Sequence, residues 1–324
     1  MALDTAVIGP LNVDLLITGR APADLGELTQ WAGPSDVMLC AAGSAGYLVQ
    51  DLAKLGMKTG IVSVLADDPF GDAIFRVLRE AGVHATHIRR QPGSLSGIGI
   101  YVLLFGSKKR PLTYRLPTHL PWPTEFSAKE QDYLLSARHI HCAGYLHYTE
   151  MWSDHMAALF RAAKKRGITT SLDPQFPLVP LDSPWITPLV DLLKVTDWLM
   201  LDEDEARNIA QTSDLRKAAR ILREAGPTTV AIKRGSQGSL IQADVRVFEQ
   251  PAVAVPEDEI VESIGAGDAF DAGLIVGHLS GWPVERSALF AALAAASSLR
   301  GAGGSQALAS RADLEKALEN VLVK

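Results

Sequence analysis

The sequence has few of the features that mark secreted or membrane-bound proteins. There are two cysteines, Cys40 and Cys142, and each lies inside an apolar segment. We expect buried thiols in a reducing cytoplasm, the alternative being a disulfide between them. The longest apolar run, around residues 288–299, is short and contains Ser297 and Ser298. No segment is therefore predicted to anchor the chain in a membrane.

Positive charge is also scarce. The chain has 31 Lys and Arg residues against 37 Asp and Glu residues, a net charge of −6, and its basic runs do not exceed KKR at 108–110 and 164–166. Because nucleic-acid binding depends on basic side chains that neutralise phosphates, no nucleic-acid partner is expected. The N-terminal segment has no basic region and carries Asp4 and Asp14. It does not fit a signal peptide, and a cytoplasmic protein is expected.

Apolar residues, in contrast, make up 47% of the 324 residues. Runs typical of buried strands alternate with amphipathic runs of helical period. The predicted strands are 5–9, 58–66, 137–144, 168–174, 198–202 and 228–235, and the predicted helices are 45–56, 67–82, 152–167 and 214–226. This alternation predicts an α/β fold with a mostly parallel sheet and helices on both faces. The length is compatible with two domains or with one large α/β unit.

Two segments, 11–41 and 94–119, interrupt the alternation with residues typical of strands and turns. The second segment contains "SGIGIYVLLFGSKKRPLTYRLP", which predicts a hairpin around Gly106-Ser107. We predict that both segments form a small β-sheet layer over the main sheet. The predicted α/β core then consists of 1–10, 42–93 and 120–324.

One short stretch, "ESIGAGDAFDAG" at 262–273, combines a flexible backbone with a carboxylate at the start of an apolar helical run. The small residues Gly265, Ala266 and Gly267 would let an anion approach the unpaired N–H groups of a helix N-terminus. Asp268 follows them and could accept a proton from a hydroxyl that attacks a phosphoryl group. The alternative is an ordinary glycine-rich turn before an acidic helix start.

This stretch resembles the C-terminal signature D-T-T-G-A-G-D-x-F of the ribokinase-like (phosphofructokinase B type) carbohydrate kinases, with Gly265 to Asp268 and Phe270 in place. Other pieces that resemble the family follow in order, namely "AVIGPLNVDLL" (6–16), "AAGSAGYLVQDLAKLGMKTGIVSVLADDPFGD" (41–72), "WLMLDEDEA" (198–206) and "VAIKRGSQGSLI" (230–241). The resemblance covers nearly the whole chain. It implies a Rossmann-like core with a small β-sheet lid, and magnesium-ATP as the phosphoryl donor.

The resemblance also implies roles for individual residues. Asp268 would be the catalytic base, with Gly265, Ala266 and Gly267 as the anion hole, and Glu205 would act on magnesium through water. The implied nucleotide-binding residues are Asp202, Lys233, Gly235 and Gly238, with Gly265 and Gly267. The implied substrate-binding residues are Asp14, Gly43, Tyr47, Tyr101 and Arg115, with Asp268.

The sequence departs from the family pattern at several of these positions. Asp202 replaces the usual Asn of an N-x-x-E element, which adds a carboxylate beside the phosphates. Glu262 replaces an Asp, and Ser263-Ile264 replaces Thr-Thr, in a segment that helps many relatives to bind a monovalent cation. Whether this chain uses such a cation is therefore left open. Tyr47 replaces an Asn that often touches the sugar, so ribose is not the expected substrate.

The expected activity is transfer of the γ-phosphoryl group of ATP to a hydroxyl of a sugar or sugar acid. Arg115, after Tyr114, could hold a substrate carboxylate or could face solvent. A nucleoside kinase is the first alternative, because Tyr47 and Trp31 could stack on a base. A sugar- or nucleotide-binding regulator without catalysis is the second.

Three further interpretations concern groups outside this motif. His139 and His141 alternate along a predicted strand, and a structural or substrate-side role is favoured over zinc binding. Asp173 follows a strand, where it could either bind a ligand or begin a loop. The apolar segment 98–105 would leave a strand edge to be covered, which predicts a homodimer formed through the lid.

Overall fold

The computed structural model describes residues 2–24, 26–27, 35–105, 112–117 and 120–322, without the side chains of Ser35, Phe105, Leu112, Thr113 and Tyr114. The strands are β1 (Leu3–Ile8), β2 (Asn12–Gly19), β3 (Ser35–Ala42), β4 (Thr59–Ala66), β5 (His84–Gln91), β6 (Ile98–Val102), β7 (Leu112–Arg115), β8 (Ala137–Ala143), β9 (Thr169–Asp173), β10 (Trp198–Asp202), β11 (Thr229–Lys233), β12 (Ser239–Ala243) and β13 (Arg246–Gln250). The helices are α1 (Ser44–Lys54), α2 (Pro69–Glu80), α3 (Ala128–Leu134), α4 (Asp154–Lys165), α5 (Val190–Leu193), α6 (Glu203–Ala210), α7 (Leu215–Glu224), α8 (Ala266–Leu279), α9 (Val284–Ser298) and α10 (Arg311–Leu322).

The main sheet has nine strands in the order β13-β12-β11-β10-β9-β8-β1-β4-β5. The strands β11, β10, β9, β8, β1, β4 and β5 run parallel to one another. Strands β12 and β13 are added antiparallel at one edge. Apolar side chains bury both faces: one large cluster includes residues of α1, α8 and α9, and another includes residues of α4, α6 and α7. The predicted α/β fold with helices on both faces is confirmed.

A separate four-stranded sheet, the lid sheet, has the order β3-β2-β6-β7. Its strands come from 12–19, 35–42, 98–102 and 112–115, as expected for a small second sheet. The domain boundaries themselves stay a prediction. Strands β6 and β7 pair antiparallel as predicted, but the turn at Gly106-Ser107 lies outside the described residues.

One expectation about the lid sheet was wrong. The segment 98–105 was expected to present an open strand edge, but β6 lies between β2 and β7. The sheet edges are β3 and β7, because β6 pairs parallel with β2 over long sequence separation. This non-local pairing leaves no local pattern in the sequence.

Helix starts follow the predicted chemistry. Asp68 caps α2 by accepting a hydrogen bond from the Gly71 N–H at 2.8 Å, and Pro69 occupies the first helical position. Gly82, just beyond the helix, has φ of 82°, which a side chain would disfavour.

The helix that begins at the G-A-G-D motif is held in place by close helix packing. A Cβ at Gly273 of α8 would lie 2.5 Å from Ala291 Cα of α9, and one at Gly277 would lie 2.5 Å from Ser287 Oγ. The glycines therefore let the two backbones approach, and they set the position of the α8 N-terminus.

Cys40 and Cys142 are both buried and free, as predicted. Over the described ranges, no helix is long and apolar enough to cross a bilayer.

Candidate active site

The site lies where parallel strands of the main sheet end and α8 begins. Asp173 ends β9, Asp202 ends β10 and Lys233 ends β11. Carboxyl ends of parallel strands meet at one edge of the sheet, where α/β proteins bind ligands. The sequence predicted that Asp173 either binds a ligand or begins a loop, and Asp173 lies at this edge of the sheet.

The N-terminus of α8 is shaped by its small residues. Gly265 caps the helix in the left-handed conformation, with φ of 73°, which favours glycine. Gly267 is exposed, and a Cβ there would lie 3.7 Å from the Lys233 ammonium. The Ala266 N–H donates to the Ser263 carbonyl oxygen at 3.3 Å. The other N–H groups of this first turn and the helix dipole together favour an anion.

Asp268 stands in this first turn with its side chain half-buried. Burial raises the pKa of Asp268 well above its usual value, Lys233 opposes the rise, and the carboxylates of Asp173, Asp271 and Asp51 add to it. A carboxylate with a raised pKa is a stronger proton acceptor, which suits a general base.

Lys233 is the centre of a buried charge cluster. Its Nζ lies 2.8 Å from Asp173 Oδ2 and 2.9 Å from Asp271 Oδ2, and both carboxylates are almost fully buried. Despite burial, these carboxylates raise the pKa of Lys233 well above its usual value. The ammonium of Lys233 thus already has two carboxylate partners. Its predicted contact with nucleotide stays a prediction.

Asp271 was missed by sequence reasoning. It follows Asp268 by three residues, so the two carboxylates share one side of α8, and that spacing was the only available signal.

Asp202 and Glu205 form a reciprocal cap at the start of α6. Asp202 Oδ1 accepts from the Glu205 N–H at 2.7 Å, and Glu205 Oε2 accepts from the Asp202 N–H at 2.8 Å. The three-residue spacing that suggested a functional pair therefore also has a structural cause. Burial and the nearby Asp173 raise the pKa of Glu205 well above its usual value.

The two predicted nucleotide-side glycines differ in what they permit. A Cβ at Gly238 would lie 2.0 Å from the carbonyl oxygen of Gln250, so the protein's own backbone requires glycine. Gly235 has φ of 53° with open space around its Cβ position. Their contact with nucleotide stays a prediction.

The lid sheet contributes a buried carboxylate, that of Asp14. Asp14 accepts from Asn12 Nδ2 at 2.9 Å and from the Tyr47 hydroxyl at 2.8 Å. Burial raises the pKa of Asp14 to about 6, although both hydrogen bonds lower it. Gly43 caps α1 with φ of 81°. Tyr101 pairs with Leu16 on β2 and packs with the cluster that contains Tyr47.

Arg115 is not brought together with these residues. Arg115 of β7 pairs with Ile98 of β6, and Ile98 pairs with Val13 of β2. Asp14, the next residue of β2, pairs with Gly99 instead. Successive residues of a strand point to opposite faces, so Arg115 lies on the other face of the lid sheet. Its Nη2 donates to the Ser96 carbonyl oxygen at 2.8 Å, and its guanidinium lies 5.9 Å from the Phe70 ring centroid. The side chain of Tyr114 and all of Trp31 lie outside the described residues.

Comparison with known proteins identifies the family. The profile of the pfkB family carbohydrate kinases matches residues 19–311. The chain belongs to this family. A 5-dehydro-2-deoxygluconokinase from Geobacillus kaustophilus is 26% identical over 98% of the chain and 94% of that protein. A cytidine kinase from Thermococcus kodakarensis is 26% identical over 87% of the chain and 91% of that protein.

A solved structure shows the same fold. A putative ribokinase II from E. coli, in complex with ATP and Mg²⁺, superposes with a TM-score of 0.77 at 20% identity, over 98% of the chain and 99% of that protein. This pfkB family kinase therefore has the ribokinase-like fold that its motifs predict.

His139 and His141 of this kinase bond to hydroxyl groups. His139 lies 2.8 Å from Thr169 Oγ1 and 2.7 Å from Ser171 Oγ, which is also 2.7 Å from His141 Nδ1. Burial lowers the pKa of His141 to about 4. Across the described parts of the chain, no group of three or more His, Cys, Asp or Glu side chains is arranged to hold a metal. These contacts support a structural role for both histidines.

Glu262 connects the loop at Gly303 and Gly304 to the segment that precedes α8. Its Oε1 accepts from the N–H groups of Gly303 and Gly304 at 3.1 Å each, and its Oε2 accepts from the Ile264 N–H. Three N–H donors thus surround a buried carboxylate in the segment that binds a monovalent cation in many relatives.

Asp51, on α1, is a fully buried carboxylate whose two oxygens find no hydrogen-bond partner among the described residues. The nearby Ser305 hydroxyl donates instead to the Tyr47 carbonyl oxygen at 3.0 Å. Burial raises the pKa of Asp51 to about 8.

We predict that Asp51→Asn stabilises the protein at pH 8 by about 2–4 kcal/mol, because each unit of pKa shift corresponds to about 1.4 kcal/mol. The unfolded chain ionises Asp51 near pH 4 and the folded chain near pH 8, so wild-type stability falls as pH rises between these values. Denaturant unfolding at pH 5 and pH 8 measures the gain, which should shrink at pH 5. The exposed Asp132→Asn is the control. A loss of stability at pH 8 would contradict the prediction.

Proposed function

We propose that this pfkB family kinase transfers the γ-phosphoryl group of magnesium-ATP to a hydroxyl of a sugar or sugar acid, with Asp268 as the base. The observation that supports this most is the α8 N-terminus, where Asp268 adjoins the backbone N–H groups of the Gly265–Gly267 turn. One helix end thus offers both a proton acceptor and an anion site.

The proposed reaction divides roles between the two layers of the molecule. Asp14 on the lid sheet accepts a hydrogen bond from the substrate and orients it. Asp268 removes the proton of the attacking hydroxyl as its oxygen bonds to the γ-phosphorus and ADP leaves. The N–H groups at the start of α8 stabilise the charge on the transferring group. Closure of the lid excludes water, the competing acceptor.

Asp202 and Glu205 fit a magnesium ion shared with the phosphates. Their carboxylates are hard oxygen ligands beside the strand end, and each also accepts a backbone N–H. Bound there, magnesium would neutralise phosphate charge. The putative ribokinase II was solved with ATP and Mg²⁺, which supports the same donor complex here.

The lid sheet packs on the core through a largely apolar cluster. Leu16 and Cys40 of the lid sheet are buried with Tyr47 and Ile264, and Met38, Tyr101 and Leu103 pack against them. Because Tyr47 replaces the Asn that often touches the sugar in the family pattern, we favour a substrate with a deoxygenated carbon over ribose. The name of the Geobacillus relative, a kinase for a deoxygenated keto sugar acid, agrees with this. A substrate carboxylate would need a partner other than Arg115 in its present position.

A cytidine kinase among the relatives keeps the nucleoside alternative in view. The position of Tyr47 does not support it, because the ring is buried against glycine backbone and its hydroxyl is bonded to Asp14.

The test is ADP release from magnesium-ATP with a panel of neutral sugars, deoxy sugars, keto sugar acids and nucleosides. We expect turnover with a deoxy sugar or a deoxy keto sugar acid. Preferential turnover of a nucleoside would replace the proposal by the alternative. Absence of turnover on the whole panel, with ATP bound, would favour the regulator.

We also propose a cytoplasmic homodimer formed through the lid. Two free, buried cysteines suit a reducing compartment. Strand β3 is an edge of the lid sheet, and its Val37 is 64% exposed. An exposed apolar edge strand is a template for pairing with a second chain.

A further inference from the structure

Tyr47 connects the lid sheet to the anion hole. Its hydroxyl donates to Asp14 Oδ2 at 2.8 Å. One edge of the ring packs on glycine backbone: a Cβ at Gly265 would lie 3.3 Å from Tyr47 Cγ and Cδ1, and one at Gly304 would lie 3.1 Å from Cε1. Tyr47 is only 4% exposed, so its ring is buried in direct contact with these glycines.

The backbone around this ring is itself fixed. The Tyr47 carbonyl oxygen accepts from the Ser305 hydroxyl, and Lys54 Nζ, on the same helix, donates to the Gln306 carbonyl oxygen at 2.7 Å. Glu262 holds the Gly304 N–H on the opposite side. Movement of the ring would therefore have to displace either the Gly304 loop or the Gly265 turn.

We propose that Tyr47 is a positioning residue that couples the two halves of the site: its hydroxyl holds Asp14 for the substrate, and its ring holds the Gly265 turn for the phosphoryl group. This rests on the function proposed above. It differs from direct substrate contact, the role expected from the sequence, because the hydroxyl is already committed to Asp14.

The groups that face Asp14 allow the first part of the proposal, the hold of the Tyr47 hydroxyl on Asp14, to be measured. Asn12 on β2, Cys40 on β3, Gly99 on β6 and Tyr47 on α1 face its carboxylate, and Glu262 lies beyond Cys40 and Tyr47. Of these, Tyr47 and Asn12 stabilise the ionised carboxylate by donating to it. Loss of the Tyr47 hydroxyl should therefore make Asp14 harder to ionise.

Two variants separate the hydroxyl from the ring. For Tyr47→Phe, we expect KM for the accepted sugar to rise by about tenfold and the acid limb of kcat/KM to move to higher pH, with kcat and KM for ATP nearly unchanged. For Tyr47→Leu, which also removes the ring from Gly265, we expect kcat to fall by about tenfold or more. Tyr133→Phe, where the hydroxyl contacts His84 instead, is the control.

A readout independent of turnover is the titration of Asp14, followed by NMR on protein labelled at aspartate carboxyl carbons and assigned with Asp14→Asn. Its pKa should be higher in Tyr47→Phe than in the wild type. A wild type inactive on every sugar would overturn the proposed function alone, and the titration would still test the coupling. A Tyr47→Phe variant with unchanged KM, acid limb and Asp14 titration would overturn the inference, whatever Tyr47→Leu does.

Discussion

Asp268→Asn is expected to lower kcat for sugar phosphorylation by about 10²–10⁴-fold, the usual contribution of a general base. Asparagine keeps the size of the side chain but cannot accept the proton of the attacking hydroxyl. The backbone N–H groups at the start of α8 are unchanged, so ATP affinity should change little. Steady-state ADP release and calorimetric titration with ATP measure the two quantities.

The matched control is Asp72→Asn, which removes an exposed acid from the first turn of another helix, α2. Its kcat should stay within about twofold of the wild type. If Asp268→Asn also kept its kcat at that level, the assignment of the base would be wrong, and the carboxylates at the strand ends would need to be tested instead.

Lys233→Met is expected to lower the free energy of unfolding at pH 7 by about 3–5 kcal/mol, the usual cost of removing one partner from a buried ion pair. Asp173 and Asp271 would be left buried without the ammonium that lies 2.8 Å and 2.9 Å from them. Lowering the pH protonates these carboxylates, so the deficit should shrink as pH falls. Denaturant unfolding from pH 5 to pH 8 measures both effects.

Two comparisons isolate the buried charge as the cause. Lys194→Met breaks an ion pair with Asp191 in which both side chains are exposed, and it should cost less than about 1 kcal/mol. Combining Lys233→Met with Asp271→Asn removes one of the two carboxyl groups left without the ammonium and should restore part of the loss. Equal costs for the Lys233 and Lys194 variants would show that the cluster does not stabilise the fold.

Local patterns predicted the architecture well. The segment 67–82 contains its own cap, first-turn proline and terminal glycine, and α2 covers Pro69–Glu80. The segment 198–202 is strand β10 as predicted, followed by the reciprocal cap of Asp202 and Glu205. Such features depend on contacts between residues three or four apart, so the order of residues along the chain is enough to find them.

Side-chain direction on the lid sheet could not be found in this way. Whether Arg115 faces Asp14 depends on the pairing of β7 with β6 and of β6 with β2. A shift of one residue in either register would exchange the two faces. The same long-range pairing decided that β3 and β7, rather than β6, form the edges of the sheet.

The sequence by itself therefore determined the parallel α/β core, the small second sheet and the motif that starts α8, because helical period, strand length and glycine placement are local properties. Only the tertiary structure decided that Tyr47 reaches Asp14 and supports Gly265, and that Lys233 lies between Asp173 and Asp271. These contacts join residues that are at least 33 positions apart in the chain. Their partners are selected by how helices and sheets pack, which no short stretch of sequence encodes.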